Sequence, residues 1–298
     1  MLNKVPEVTV YFWVIKVLST TVGETAADFL STNLNLGEQT TALIMGAVLA
    51  GSLFAQFKMG QYVPGVYWLC VVLMSIEGTL ITDNLTDNYG VGTTVTAPIF
   101  AVALALTFAA WFRSERTLSI HTIFTRRREG FYWLAILFTF SLGTAAGDMI
   151  SEKLNLGYWT ALGLFAAAIG IVAALRFGLK LNAIACFWAA YILTRPLGAS
   201  LGDLLTAAKT DGGLGFGTNL VSGIFLVTIL GLIIYLSVTK TDVEAEPATL
   251  DDGYGARDQY GPRDGYAPRG GYAPRDPREQ GYSGSRAPEF RPGGSPRW

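Results

Sequence analysis

Apolar residues gather in eight stretches, near 8–29, 40–57, 62–82, 94–112, 131–150, 158–175, 181–204 and 218–238. Each approaches the run of about 20 residues that a helix needs to cross a hydrocarbon core about 30 Å thick. The shorter ones imply tilt or a locally thin bilayer. The pattern predicts an all-α membrane protein with eight transmembrane helices. The opening MLNKVPEVTVYFWVIKVLST offers no small-residue cleavage site after its apolar run, so the first stretch reads as a retained helix. Beyond residue 240 the apolar pattern stops.

The odd-numbered stretches repeat one another. Trp13, Trp68, Trp133 and Trp188 stand near their starts. Ten residues after each tryptophan comes Gly23, Gly78, Gly143 or Gly198, and fifteen after it comes Asp28, Asp83, Asp148 or Asp203. The residue before each aspartate is small: Ala27, Thr82, Gly147 and Gly202. Gly37, Gly92 and Gly157 also keep a fixed distance of 24 residues from their tryptophans. The steps between tryptophans are 55, 65 and 55 residues, as if a two-copy unit had itself been doubled. Searching for such periods first matters, because a repeat decides the architecture.

The chain therefore divides into two-helix repeats at 5–58, 60–113, 131–178 and 180–238, with a basic linker at 114–130 and a tail at 240–298. Each repeat holds two spans, so all four enter the membrane from the same side. They would be related by rotation about the membrane normal. The four Trp–Gly–Asp copies resemble a family of bacterial integral membrane proteins built of four tandem two-helix repeats, each with a characteristic tryptophan. The resemblance covers 5–238; it implies this architecture and a bacterial inner membrane, and it brings no activity, since the family is one of unknown function.

Charge sets the orientation. Lys4, Lys58, Arg113, Arg116, Arg126, Arg127, Arg128, Arg176 and Lys180 flank one side, against Lys153 and Lys209 on the other. The excess of basic residues marks the cytoplasmic side, which predicts cytoplasmic N- and C-termini. The linker arginines then serve as an anchor against anionic headgroups.

Composition adds two exclusions. Only 15% of residues are charged, and the tail holds 19 of those 45. That tail repeats Tyr, Gly, Pro and Arg every six residues around Tyr254, Tyr260, Tyr266 and Tyr272. It has no apolar face to bury and is expected to be disordered. With nine basic and ten acidic residues it is no nucleic-acid arm; it is a spacer or a docking segment for a cytoplasmic partner. The two cysteines, Cys70 and Cys186, lie in separate apolar runs and make neither a disulfide framework nor a metal site.

The candidate chemistry lies on the odd spans, because the even ones contain no charged residue. The tryptophans fit either an interfacial belt or packing at an inner mouth. Gly23, Gly78, Gly143, Gly147, Gly198 and Gly202 form small-xxx-small stripes, for close helix packing or for local unwinding. An ionisable group in hydrocarbon costs several kcal/mol, so intramembrane acids mark an ion or proton pathway unless they sit at the outer interface. One turn before the aspartates stand Glu24, Thr79, Thr144 and Ala199, and Glu77 adds another acid. This oxygen-rich face suits a hard cation, whose identity stays open. The fourth copy departs with Arg195 and Pro196: the arginine needs a carboxylate partner, and the proline is expected to kink its helix. These residues predict a transporter or channel for a small cation, either a metal ion or a proton-coupled solute. The alternative is a non-transporting scaffold or sensor whose tail recruits partners. No protease-like motif accompanies the aspartates, so no enzyme is expected, and no cofactor.

Overall fold

A computed structural model describes residues 3–154 and 157–243. The tail beyond Val243 lies outside the described residues. Eight long helices appear among the latter: α1 Val10–Asp28, α2 Glu38–Lys58, α3 Pro64–Asp83, α4 Thr93–Glu115, α5 Arg126–Leu154, α6 Tyr158–Phe177, α7 Ala183–Thr206 and α8 Thr218–Thr239. Seven of them are long and apolar enough to cross a membrane; α1 is not among these. Lys16, Glu24 and Asp28, with hydroxyls at Ser19, Thr20, Thr21 and Thr25, account for its polarity.

The odd helices form a closed ring. Helix α1 packs on α3, α3 on α5, α5 on α7, and α7 back on α1. The even helices stand outside it, each against the odd helix of the following repeat: α2 on α3, α4 on α5, α6 on α7 and α8 on α1. Successive repeats are thus interleaved, and the last closes on the first. Between 11% and 33% of the apolar stretch of each even helix is buried, against 56% to 67% for α3, α5 and α7. The even helices, charged only near their ends if at all, present their remaining apolar surface outwards, as lipid-facing helices do.

Glycine sets the ring's diameter. A β-carbon on Gly78 would lie 2.6 Å from Phe140, one on Gly143 would lie 2.5 Å from Arg195, and one on Gly198 would lie 2.8 Å from Thr20; at Gly23 it would overlap Ser75. In every case the obstacle is the residue seven places after the tryptophan on the next odd helix. Gly147 and Gly202 repeat the contact one turn on, against Pro196 and Thr21. Helices run unbroken through all these glycines, so they serve close approach, as small residues do between membrane helices.

At two of the four crossings the residue eight places after the tryptophan donates a hydrogen bond across. Thr21 Oγ1 donates to the Gly198 carbonyl at 2.7 Å, and Ser141 Oγ donates to the Gly78 carbonyl at 3.3 Å. The equivalent positions at the other two crossings are Ile76 and Pro196, which cannot donate from a side chain. The ring is four-fold in packing, and two-fold in the hydrogen bonds made from this position.

At the other end of the ring the tryptophans correct one expectation. They form no outward belt: Trp68, Trp133 and Trp188 are buried and Trp13 is half-buried. Each is preceded by an aromatic residue that touches the tryptophan of the next repeat. Ring centroids are 5.5 Å apart for Phe12–Trp68 and Tyr67–Trp133, 6.3 Å for Tyr132–Trp188, and 5.8 Å for Phe187–Trp13. This closed aromatic layer packs the ring's interior, where such pairs add about 0.5–1.5 kcal/mol each beyond their burial.

Chain segments cover that end. Lys4 Nζ pairs with buried Glu129 at 2.7 Å, and Gln56 Nε2 donates to the same carboxylate at 3.2 Å. Tyr62 donates to Asp242 Oδ2 at 2.6 Å. Burial raises the Asp242 carboxyl above the ordinary range, and the tyrosine bond partly offsets this. The linker is more structured than its charge suggests. It holds a 3₁₀ turn at Ile120–Thr122 and the start of α5, and Arg128 donates to Glu115 at 2.7 Å.

Gly143→Val should break the α5–α7 crossing, whereas Gly163→Val, where a β-carbon meets nothing within 4 Å, should be tolerated. Thermal unfolding of the detergent-solubilised chain is expected to show a loss of about 1–3 kcal/mol for the first variant alone.

Candidate functional site

Counting from each tryptophan, the positions three, seven, eleven and fifteen residues on stay on one side of the helix and face the ring's axis. They stack in layers: Lys16, Val71, Ile136 and Tyr191; then Thr20, Ser75, Phe140 and Arg195; then Glu24, Thr79, Thr144 and Ala199; then the four aspartates.

Arg195 organises the middle of this stack. It is 1% exposed and reaches every odd helix. Its Nε donates to Thr144 Oγ1 on α5 at 2.9 Å, and its Nη1 donates to the Thr20 carbonyl on α1 at 3.3 Å. Its Nη2 donates to Thr79 Oγ1 on α3 and forms an ion pair with Glu24 on α1. Both threonine hydroxyls are pre-set as acceptors, because they spend their own protons on the carbonyls of Ser75 and Phe140, at 3.0 and 3.1 Å. A buried guanidinium is tolerated only with such full pairing. Helix α7 runs through Pro196 without interruption, and Pro196 packs against Gly147 rather than opening a gap.

All three side-chain oxygen positions one turn before the aspartates are therefore occupied. Thr79, Thr144 and Glu24 bind Arg195, so they do not form a vacant cradle for a cation. Glu77 is also corrected: it lies off the axis, with Oε1 beside Gly46 of α2. Its Oε2 is buried and makes no hydrogen bond.

The four aspartates stand at one end of the ring. Asp28 and Asp203 are exposed, and Asp83 and Asp148 are half-buried. Asp28, Asp83 and Asp203 each lie within electrostatic reach of Glu24 and Arg195, and Asp83 lies within reach of Asp148 and Asp28 as well. They form the acidic mouth of the ring, the end two turns beyond the level of Arg195. No three His, Cys, Asp or Glu side chains among the described residues are grouped as ligands for a metal. Past Asp28 and Asp83 the backbone widens into π-helical turns, Phe29–Asn33 and Asn84–Asn88. Asn88 of the second turn donates to Glu38 at 2.7 Å, which brings a further acid to the rim near Asp28.

Two features escaped the sequence reading. Lys16 is a charged residue inside the first span, and it was legible as such. The aromatic residue before each tryptophan was legible too, since FW, YW, YW and FW repeat with the motif.

A family model described as Repeat of Unknown Function (DUF347) matches this chain four times, at residues 11–62, 66–117, 131–180 and 186–242. Each match begins two residues before one of the four tryptophans. No curated protein and no solved structure matches the chain.

Arg195→Met should destabilise the fold by about 3–5 kcal/mol, the usual cost of removing one partner of a buried pair. Adding Glu24→Gln should recover part of that loss, because it removes the stranded carboxylate. Denaturant unfolding of the two single variants and the double variant measures this coupling.

Proposed function

Because this chain belongs to the family of the Repeat of Unknown Function (DUF347), which supplies an architecture without an activity, we propose from its central site that it is a proton-coupled carrier. It works in the bacterial inner membrane with both termini in the cytoplasm, the orientation favoured by the basic loops. One observation carries the reading: four aspartates stand at one end of the ring, above Glu24 and a guanidinium that α7 carries and the other three central helices bind.

The chemistry follows from the ion pair. A proton taken up at the mouth and passed to Glu24 neutralises that carboxylate and leaves Arg195 with hydroxyl and carbonyl partners only. The tie between α1 and α7 weakens, and the glycine crossings let the helices shift. A carrier suits this geometry better than an open channel, because Arg195 and Lys16 put positive charge on the axis and oppose a cation passing freely. Protons suit it better than a dehydrated metal ion, which would need several oxygens directed at one point.

The test is Asp83→Asn combined with Asp148→Asn in proteoliposomes with a pH-sensitive dye in the lumen and an imposed potassium diffusion potential. Proton flux should fall at least about tenfold, corresponding to about 1.4 kcal/mol of added barrier, while elution stays monodisperse. Unchanged flux overturns the reading.

A further inference from the structure

Below Arg195 lies a second buried cation that the carrier reading leaves unused. Lys16 is 1% exposed, and among the described residues it has neither an ion-pair partner nor a hydrogen bond. Its Nζ stands 3.5 Å from the ring centroid of Phe140 on α5 and 4.2 Å from that of Tyr191 on α7. Ring faces stabilise an ammonium but offer no site for a proton. Of the charged and titratable groups facing it, α7 contributes Arg195 and Tyr191. Helices α3 and α5 contribute Val71 and Ile136 at its level, and α8, packed outside α1, carries no charged residue.

From Lys16 towards the tryptophan end the interior is lined with phenols. Tyr191 Oη is buried without a hydrogen-bond partner. Tyr67 and Tyr132, both fully buried, are hydrogen-bonded to each other through their hydroxyls. Tyr191 lies within electrostatic reach of both. Tyr62 packs edge-on against Tyr67, with ring centroids 5.5 Å apart, and donates to Asp242. In an otherwise apolar aromatic layer, these hydroxyls form the polar thread.

We infer that Lys16 is the inner proton-binding group of the transport cycle, exchanging its proton with the tryptophan-end solvent through Tyr191, the Tyr67–Tyr132 pair, Tyr62 and Asp242. This rests on the proton-carrier reading above and assigns the half of the path that the acidic mouth does not reach. Nζ alternates between ammonium and free amine. To load it, the Lys16 side chain leaves the ring face for the Tyr191 hydroxyl, which gives its proton to Nζ and takes one from the Tyr67–Tyr132 pair. That pair is refilled by Tyr62, and Tyr62 by the Asp242 carboxyl. Each hydroxyl gives one proton and receives one, so every tyrosine ends neutral, as a group that both donates and accepts can. Arg195 never releases its proton; it separates this path from the acidic mouth and couples the two by charge.

The test uses the full chain in the same proteoliposomes. Lys16→Arg keeps a cation against both rings but cannot release a proton, so flux should fall at least about tenfold with thermal stability unchanged. Tyr191→Phe and the double variant Tyr67→Phe/Tyr132→Phe remove only oxygens and should also slow flux. If Lys16→Arg does not fold, the tyrosine variants decide. Wild-type flux in Lys16→Arg, or in both tyrosine variants, overturns the inference. When the aspartate double variant is inactive and these variants are not, the inference alone fails. A wild-type chain that moves no protons overturns both.

Discussion

A guanidinium can rest inside this ring only because every central helix meets one of its needs. Glu24 supplies charge, Thr79 and Thr144 supply hydroxyl lone pairs, Thr20 supplies a carbonyl, and α7 supplies the arginine itself. Remove the ring's closure and the desolvation of Arg195 has nothing to offset it. The same bonds fix the register of four helices that are otherwise held by dispersion between small residues. Packing alone is a weak specifier in lipid, where tails are as apolar as leucine. One fully paired polar centre supplies the register that the glycine stripes lack.

Repetition and its breakage have separate jobs. The glycines at the crossings and the aromatic–tryptophan contacts obey the same rule in all four copies, because they build the ring. The axial positions break the rule. At the level of Thr20 and Ser75 the third copy places Phe140 and the fourth Arg195; at the level of Val71 and Ile136 the first places Lys16 and the fourth Tyr191. A strict four-fold axis would give four identical charges facing one another. The deviations turn that into an ordered stack: acids at one end, two cations separated by a turn, and tyrosines beyond.

Much of this was readable from the letters. The repeat itself, the central place of the odd helices, the outward even helices and the need of Arg195 for a carboxylate all follow from spacing and charge. Other points were not. Glu77 is one residue before Gly78 and two before Thr79, yet that turn of about 100° per residue carries it off the axis to Gly46. The tryptophans looked interfacial because they open apolar runs; nothing local says that the neighbouring helix will cover them. The threonines looked like cation ligands, since a hydroxyl is equally suited to an arginine.

By itself, then, the sequence determined which residues recur, which helices are polar enough to need company, and that one arginine must find an acid. Those are properties of a single helix and its solvent. The tertiary structure alone decided that the ring closes from the fourth repeat onto the first, and that Glu24 rather than any aspartate takes Arg195. Those outcomes depend on which helix comes next around the axis, and side-chain periodicity along one helix carries no information about its neighbour.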